Sequence, residues 1–155
     1  MDFHYLEDFK KLTVICPPQS YKPKNMTTFR WVFDDIDDEK NFKPRLYLLP
    51  DNQLEEIELE TDTIKRDTKK CGMLALSLFI SEMNARNRFN YFMDSQGKKA
   101  YKRFGTHIAQ ADLTEQDGVN DEPDKAGHFN HHPALGYAYE KRFLIISKLI
   151  KNGNA

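Results

Sequence analysis

The polar chemistry of this chain is concentrated between Gly105 and Tyr137, in the run GTHIAQADLTEQDGVNDEPDKAGHFNHHPALGY. Four of the five histidines lie there: His107, His128, His131 and His132. Imidazole and carboxylate together suit zinc or a non-haem iron, and Asp117, Asp121 or Asp124 could add an oxygen to His128, His131 and His132. Such a set would make a metal-dependent hydrolase. The spacing argues against it. HxxHH is not a ligand pattern of high specificity, and neighbouring residues of a strand point different ways. The plainer expectation is a histidine-rich loop bonded to its own backbone, with no metal. A calcium loop built from Asp112, Asp117, Gly118, Asp121 and Asp124 lacks the alternating oxygens and closing glutamate that such a loop needs.

Other residues stand out by where they fall. Arg30 lies inside the aromatic run TTFRWVF, where a guanidinium must find an anion or bear the cost of desolvation. A salt bridge to one of the many acidic residues is the simple expectation. Ser77 lies inside the apolar run GMLALSLF, where its hydroxyl needs a partner such as a neighbouring backbone group. Lys98, Lys99, Lys102 and Arg103, interleaved with Tyr101 and Phe104, could touch phosphates or stack a base. A solvated helix end explains them as well. Cys16 and Cys71 form no CxxC pair, and neither sits at a helix start that would activate a thiolate. They are expected as two free buried thiols. There is no GxGxxG, phosphate-binding lysine loop, HExxH or GxSxG.

The bulk numbers frame these residues. With 155 residues the chain is expected to form one domain over 1–155, large enough to fold without a staple. A net charge of −1, from 23 basic and 24 acidic residues, excludes the strong basic excess of a general nucleic-acid binder. No apolar run approaches a membrane span, and no basic start leads into an apolar leader, so the cytosol is expected.

The elements that must position the polar residues follow from periodicity. Residues 1–11 suit a short helix, and 12–16 a brief β run stopped by Pro17-Pro18. Thr27 to Phe33 alternates with period two and reads as a strand, with Phe29, Trp31 and Phe33 on one face and Thr28, Arg30 and Val32 on the other. Asp34 to Lys40 reads as an acidic turn, Arg45 to Leu49 as a second strand, and 51–70 as a charged surface excursion. Gly72 to Phe79 suits a buried strand. Ser81 suits a helix N-cap, and that helix should end near Gly97. Thr106 to Leu113 and Phe143 to Ile150 suit strands, Thr114 to Pro133 mostly loop, and 151–155 a flexible tail. The sum is an α+β domain: a mostly antiparallel sheet, one clear central helix and a loop-rich C-terminal half.

The order Arg30 in TFRWVF, Ser77 in ALSLF, then Gln110 and Asp112 in IAQAD resembles small bacterial proteins with an ADP-ribosyltransferase-like layout. The wider pattern GTHIAQADL…DGV…GHF is similar to bacterial proteins found near toxin or conflict genes. The resemblance implies NAD as substrate. Arg30 would pair with the pyrophosphate, Ser77 support the site, and Gln110 with Asp112 orient the ribose as its cationic character develops. His128 would orient a hydroxyl or act as a base, and Phe129 and Tyr137 would stack on nicotinamide. Asp112 stands where the family carries Glu, and Ser77 lacks the usual hydroxylated neighbours. The alternative is a non-catalytic, immunity-type binding module whose contact surface is the acidic run Asp34, Asp35, Asp37, Asp38 and Glu39. A nucleotide or a protein partner is therefore expected, and no membrane.

Overall fold

The computed structural model describes residues 1–97, 99 and 101–150. The period-two run becomes β1 (Met26–Val32), the inner strand on which the rest is assembled. It pairs along its whole length with β3 (His107–Leu113), from Met26↔Leu113 to Val32↔His107. On its other side it meets β2 (Leu76–Phe79) at Phe29↔Phe79. β4 (Gly118–Asn120), β5 (His128–Pro133) and β6 (Leu144–Lys148) complete an antiparallel sheet of order β4-β5-β2-β1-β3-β6. The fold is the expected α+β domain.

Each sheet face carries its own core. One face packs Val32, Leu76, Leu78, Ala109, Ala111 and Phe129 against Tyr139 and Phe143. The other packs Phe79 and Ile108 against Ala85 and Phe89 of a long helix. That helix spans Glu82–Gln96, and Ser81 caps it by accepting from Asn84 N at 3.0 Å, a contact worth about 1 kcal/mol. Trp31 locks the helix to the sheet by donating from Nε1 to Ala85 O at 2.8 Å. The buried side of the helix is Ala85 and Phe89, at the i, i+4 spacing of one helix face, while Met83 is exposed.

In chain order the helices are α1 (Leu6–Phe9), α2 (Arg45–Leu48), α3 (Asp51–Glu58), α4 (Thr63–Met73), α5 (Glu82–Gln96) and α6 (Tyr101–Phe104). Two of them, α2 and α4, correct the sequence reading. The expected strand over Arg45 to Leu49 is the single turn α2, entered from Pro44 and ended where Pro50 forces Leu49 extended. The charged excursion 51–70 folds as α3 and α4, with Asp62 accepting from Ile64 N and Lys65 N to cap α4. α4 runs on through Met73, so only the second half of the apolar run is strand. Its buried side carries Asp67 and Cys71. These hold residues 12–16, which form bends instead of the expected β run. Thr13 donates to Asp67 Oδ2 from its backbone at 2.8 Å and its hydroxyl at 2.7 Å.

The stretch expected as loop, Thr114 to Pro133, contains the β4–β5 hairpin. Its aspartates create it. Asp117 accepts from Thr114 N at 2.6 Å, Asp121 from Asn130 N at 2.6 Å, and Asp124 from His128 N at 3.0 Å. Gly118 is required, because a Cβ there would stand 2.1 Å from His132 O at a φ of +145°. Residues 151–155, expected as a tail, and Lys98 of the basic run lie outside the described residues.

Candidate functional site

A cavity of about 530 Å³ opens where the N-terminal segment, the acidic turn, α2 and the end of β5 meet. His4, Tyr5, Phe42, Tyr47, Tyr137 and Tyr139 give it aromatic walls, and Asp37, Asp38, Glu39 and Glu140 bring carboxylates to it. Lys43 is its one lysine and lies 3.8 Å from Glu39. The walls are built ring on ring: Tyr5 meets Tyr47 edge to face at 5.4 Å, and Tyr137 lies 4.8 Å from Tyr139.

Asn41 shapes the acidic side. It is 2% exposed, accepts from Phe33 N at 2.7 Å, and donates to Asp35 O at 2.8 Å and Ile36 O at 3.3 Å. The turn is folded back on that carboxamide, which packs Phe42 against the core and leaves Asp37, Asp38 and Glu39 at the cavity. Arg30 underpins the same turn. Its Nε donates to Asn41 O at 2.7 Å and its Nη1 to Ser77 O at 2.8 Å, with the guanidinium 6.0 Å from the Phe42 ring. Burial lowers its pKa to about 10, so it remains a cation at neutral pH. Tyr5 is pushed up by burial, and Tyr47 by burial and its hydrogen bond to Asp8. These phenols therefore act as neutral rings, not as bases.

Below the cavity the Tyr139 hydroxyl lies 2.6 Å from His131 Nε2 and 3.1 Å from Asp117 O. His131 Nδ1 is 2.7 Å from Asn120 Oδ1, and Asn120 Nδ2 donates to Lys22 O at 3.2 Å. The Asn120 orientation places the hydrogen on Nδ1, so Nε2 is an acceptor and shares the single Tyr139 hydroxyl hydrogen with Asp117 O. Burial, then the adjacent His132, pushes His131 down to about 3. Asp117, 1% exposed, is neutralised by Arg142 at 3.0 Å, and Arg142 stacks over Tyr137 at 4.5 Å.

On the opposite face, Cys16 and Cys71 are joined in a disulfide. This corrects the expectation of two free thiols: Cys71 faces inward from α4 onto the N-terminal segment that carries Cys16. His132 lies against the pair, with Nε2 3.9 Å from Cys71 Sγ. Phe9 meets the imidazole edge-on at 5.2 Å and Tyr21 covers it at 5.5 Å. Burial pushes His132 down to about 4, and its Nδ1 has no hydrogen-bond partner among the described residues.

The residues singled out in the sequence disperse over this framework. Strand alternation puts Arg30 on the face of Val32 and Leu78. It puts Ser77, Gln110 and Asp112 on the face of Phe79 and Ile108. Arg30 reaches Ser77 only through its carbonyl, while the Ser77 side chain is exposed on the other side. Asp112 accepts from Thr27 Oγ1 at 2.8 Å. His128 rests on Phe79 with Asp124 3.7 Å away, and burial lowers its pKa. Phe129 is core. Of the seven residues assigned to nucleotide chemistry, Tyr137 alone lines the cavity. Nor do His128, His131 and His132 converge, since His131 points away from the other two. The basic stretch is quiet: Arg103 donates to Gln96, and Phe104 packs on Trp31.

Sequence reasoning found the acidic turn and Tyr137 and missed Tyr5, Phe42, Tyr47 and Tyr139. The Tyr137-Ala138-Tyr139 spacing was the one local signal. The other rings come from segments with no shared pattern. No helix among the described residues is long and apolar enough to cross a membrane. No family model, curated protein or solved structure matches the chain.

Proposed function

We propose that this chain is a non-catalytic binding module that takes a lysine- or arginine-bearing segment of a protein partner into the aromatic cavity. The observation that carries this reading is the pairing of aromatic walls with four carboxylates against one lysine. A cation over such rings gains about 0.5–2 kcal/mol per contact, more as water is excluded. The carboxylates add attraction and speed encounter. The molecule already uses two of these rings this way, with Arg142 over Tyr137 and Arg30 beside Phe42. An anionic dinucleotide would meet the same carboxylates as repulsion.

The nucleotide-handling reading makes a different demand, and one titration separates the two. Hexalysine and hexaarginine peptides, and separately NAD, are added to wild type, Phe42→Ala and Asp37→Asn/Asp38→Asn while tyrosine ring resonances are followed. The proposal expects peptide binding that weakens at least tenfold in both variants and falls with salt. NAD should leave the rings unmoved. Peptide indifference, or nicotinamide release from NAD, removes the binding-module reading, and the second outcome restores the transferase one.

A further inference from the structure

We propose that Cys16, Cys71 and His132 form a zinc site in the reduced protein, and that closing the disulfide empties it. This does not rest on the cationic-partner reading.

Three separate segments bring the donors together: the N-terminal stretch, α4 and β5. Their ligand atoms all lie within 4.8 Å of one another. Tetrahedral zinc, with bonds of about 2.3 Å to sulfur and about 2.0 Å to nitrogen, sets its ligand atoms roughly 3.5–3.8 Å apart. The 3.9 Å from Cys71 Sγ to His132 Nε2 is already close to that separation. Breaking the sulfur–sulfur bond lets the two pairs that involve Cys16 relax to it. Two thiolates neutralise the dication, and sulfur with imidazole is a donor set suited to zinc.

A second observation points the same way. His132 is 0% exposed, its Nδ1 has no partner among the described residues, and Nε2 meets only a disulfide sulfur. Buried polar side chains are nearly always satisfied, and a redox role or an ion is among the standard reasons for one that is not. A packing role alone would be served better by a phenylalanine, with no polar atom to desolvate. Here the imidazole is aimed at the two sulfurs and held by Phe9 and Tyr21. Cys16 is only half-buried, so solvent on its side would supply the fourth ligand as water.

The chemistry balances in two steps. A dithiol reductant gives two electrons and two protons to the Cys16–Cys71 bond and becomes a disulfide itself. Zinc then displaces the two thiol protons to solvent and takes the Nε2 lone pair, leaving hydrogen on Nδ1. Because Nδ1 has no carbonyl or carboxylate to receive that hydrogen, the site should bind about 10–100-fold more weakly than a fully supported one.

The test uses the full chain, reduced with a phosphine and desalted, or oxidised with thiol loss verified. Each form is titrated with zinc against a chromophoric chelator, and with cobalt(II) for its spectrum. The expected result is one zinc per reduced chain and none per oxidised chain. Cobalt should show thiolate charge transfer and the intense visible bands of four-coordination. His132→Asn should keep the thiolate band, alter the visible bands and weaken zinc at least tenfold. Cys16→Ser should remove the charge-transfer band or halve it. No zinc in the reduced wild type overturns the proposal. So does equal binding by the oxidised form, or affinity unchanged in His132→Asn. Should the variants fail to fold, the two wild-type redox forms still decide.

Discussion

His131 and His132 are neighbours in sequence and both buried, yet strand alternation sends them to opposite faces with opposite fates. His131 enters a closed network, with Asn120 on one nitrogen and Tyr139 on the other. His132 enters a pocket of rings and sulfur, with one nitrogen orphaned. One residue type therefore does two jobs. Complete satisfaction makes the His131 side a fixed floor beneath the aromatic cavity. Incomplete satisfaction makes the His132 side responsive to redox state and ions. Burial alone predicts neither; the partners do.

The contrast is sharpest under reduction. The disulfide closes a sequence separation of 55 residues, for which loop-closure entropy gives about 4 kcal/mol. Unfolding free energies from denaturant titrations with and without reductant should differ by about that amount in the wild type and not at all in Cys16→Ala/Cys71→Ala. Equal free energies in the wild type would mean that the sulfurs contribute nothing to the His132 side.

Substitution should then separate the two histidines. His131→Leu strands Asn120 Oδ1 and leaves the Tyr139 hydroxyl with Asp117 O alone, at a cost of about 2–3 kcal/mol beyond any change in packing. In the oxidised protein His132→Phe removes a group with only a weak sulfur partner and should stay within about 1 kcal/mol of wild type. Urea unfolding of both at pH 7 reads the difference, and similar losses would dissolve the comparison.

Acid treats the two alike. Their folded pKa values, about 3 and about 4, lie below the unfolded value near 6.5. Above pH 6.5 both states are neutral and the contribution is fully present. As pH falls, the unfolded chain takes up protons first, so stability is lost progressively down toward pH 4 and 3. At pH 5 the loss is about 2 kcal/mol per imidazole. His132→Phe should therefore remove about half the drop measured between pH 7 and 5 from these two groups. A variant that kept the whole drop would assign it elsewhere.

The smallest effect tests the network from its far end. Tyr139→Phe leaves His131 Nε2 without its donor and should cost about 1–2 kcal/mol by the same unfolding measurement. The ring wall should remain, so hexalysine binding is expected to stay within about twofold. A large loss of binding with little loss of stability would move the hydroxyl from the floor of the cavity into its recognition chemistry.

What could be read from the sequence was whatever a short window determines. The TTFRWVF alternation, the Ser81 cap and the apolar run before it specify β1, α5 and β2, because side-chain period and capping chemistry act within a few residues. The prolines around α2 were legible as punctuation but not as helix, since one turn buries too little to show a period. The β4–β5 hairpin hid behind aspartates that looked like loop or ligands and are spent as acceptors for backbone amides. Arg30 was rightly marked as needing partners, but those partners are two carbonyls rather than an anion.

By itself, then, the sequence determined an α+β domain, its longest strands and its capped helix, because those follow from local periodicity. Tertiary structure alone decided that Arg30 and Asp112 lie on opposite faces, that Cys16 meets Cys71, that His132 joins them, and that rings from distant segments wall one cavity. Register and crossover set those meetings. A one-residue change of register reverses every side chain on a strand, and no composition or spacing within a window records it.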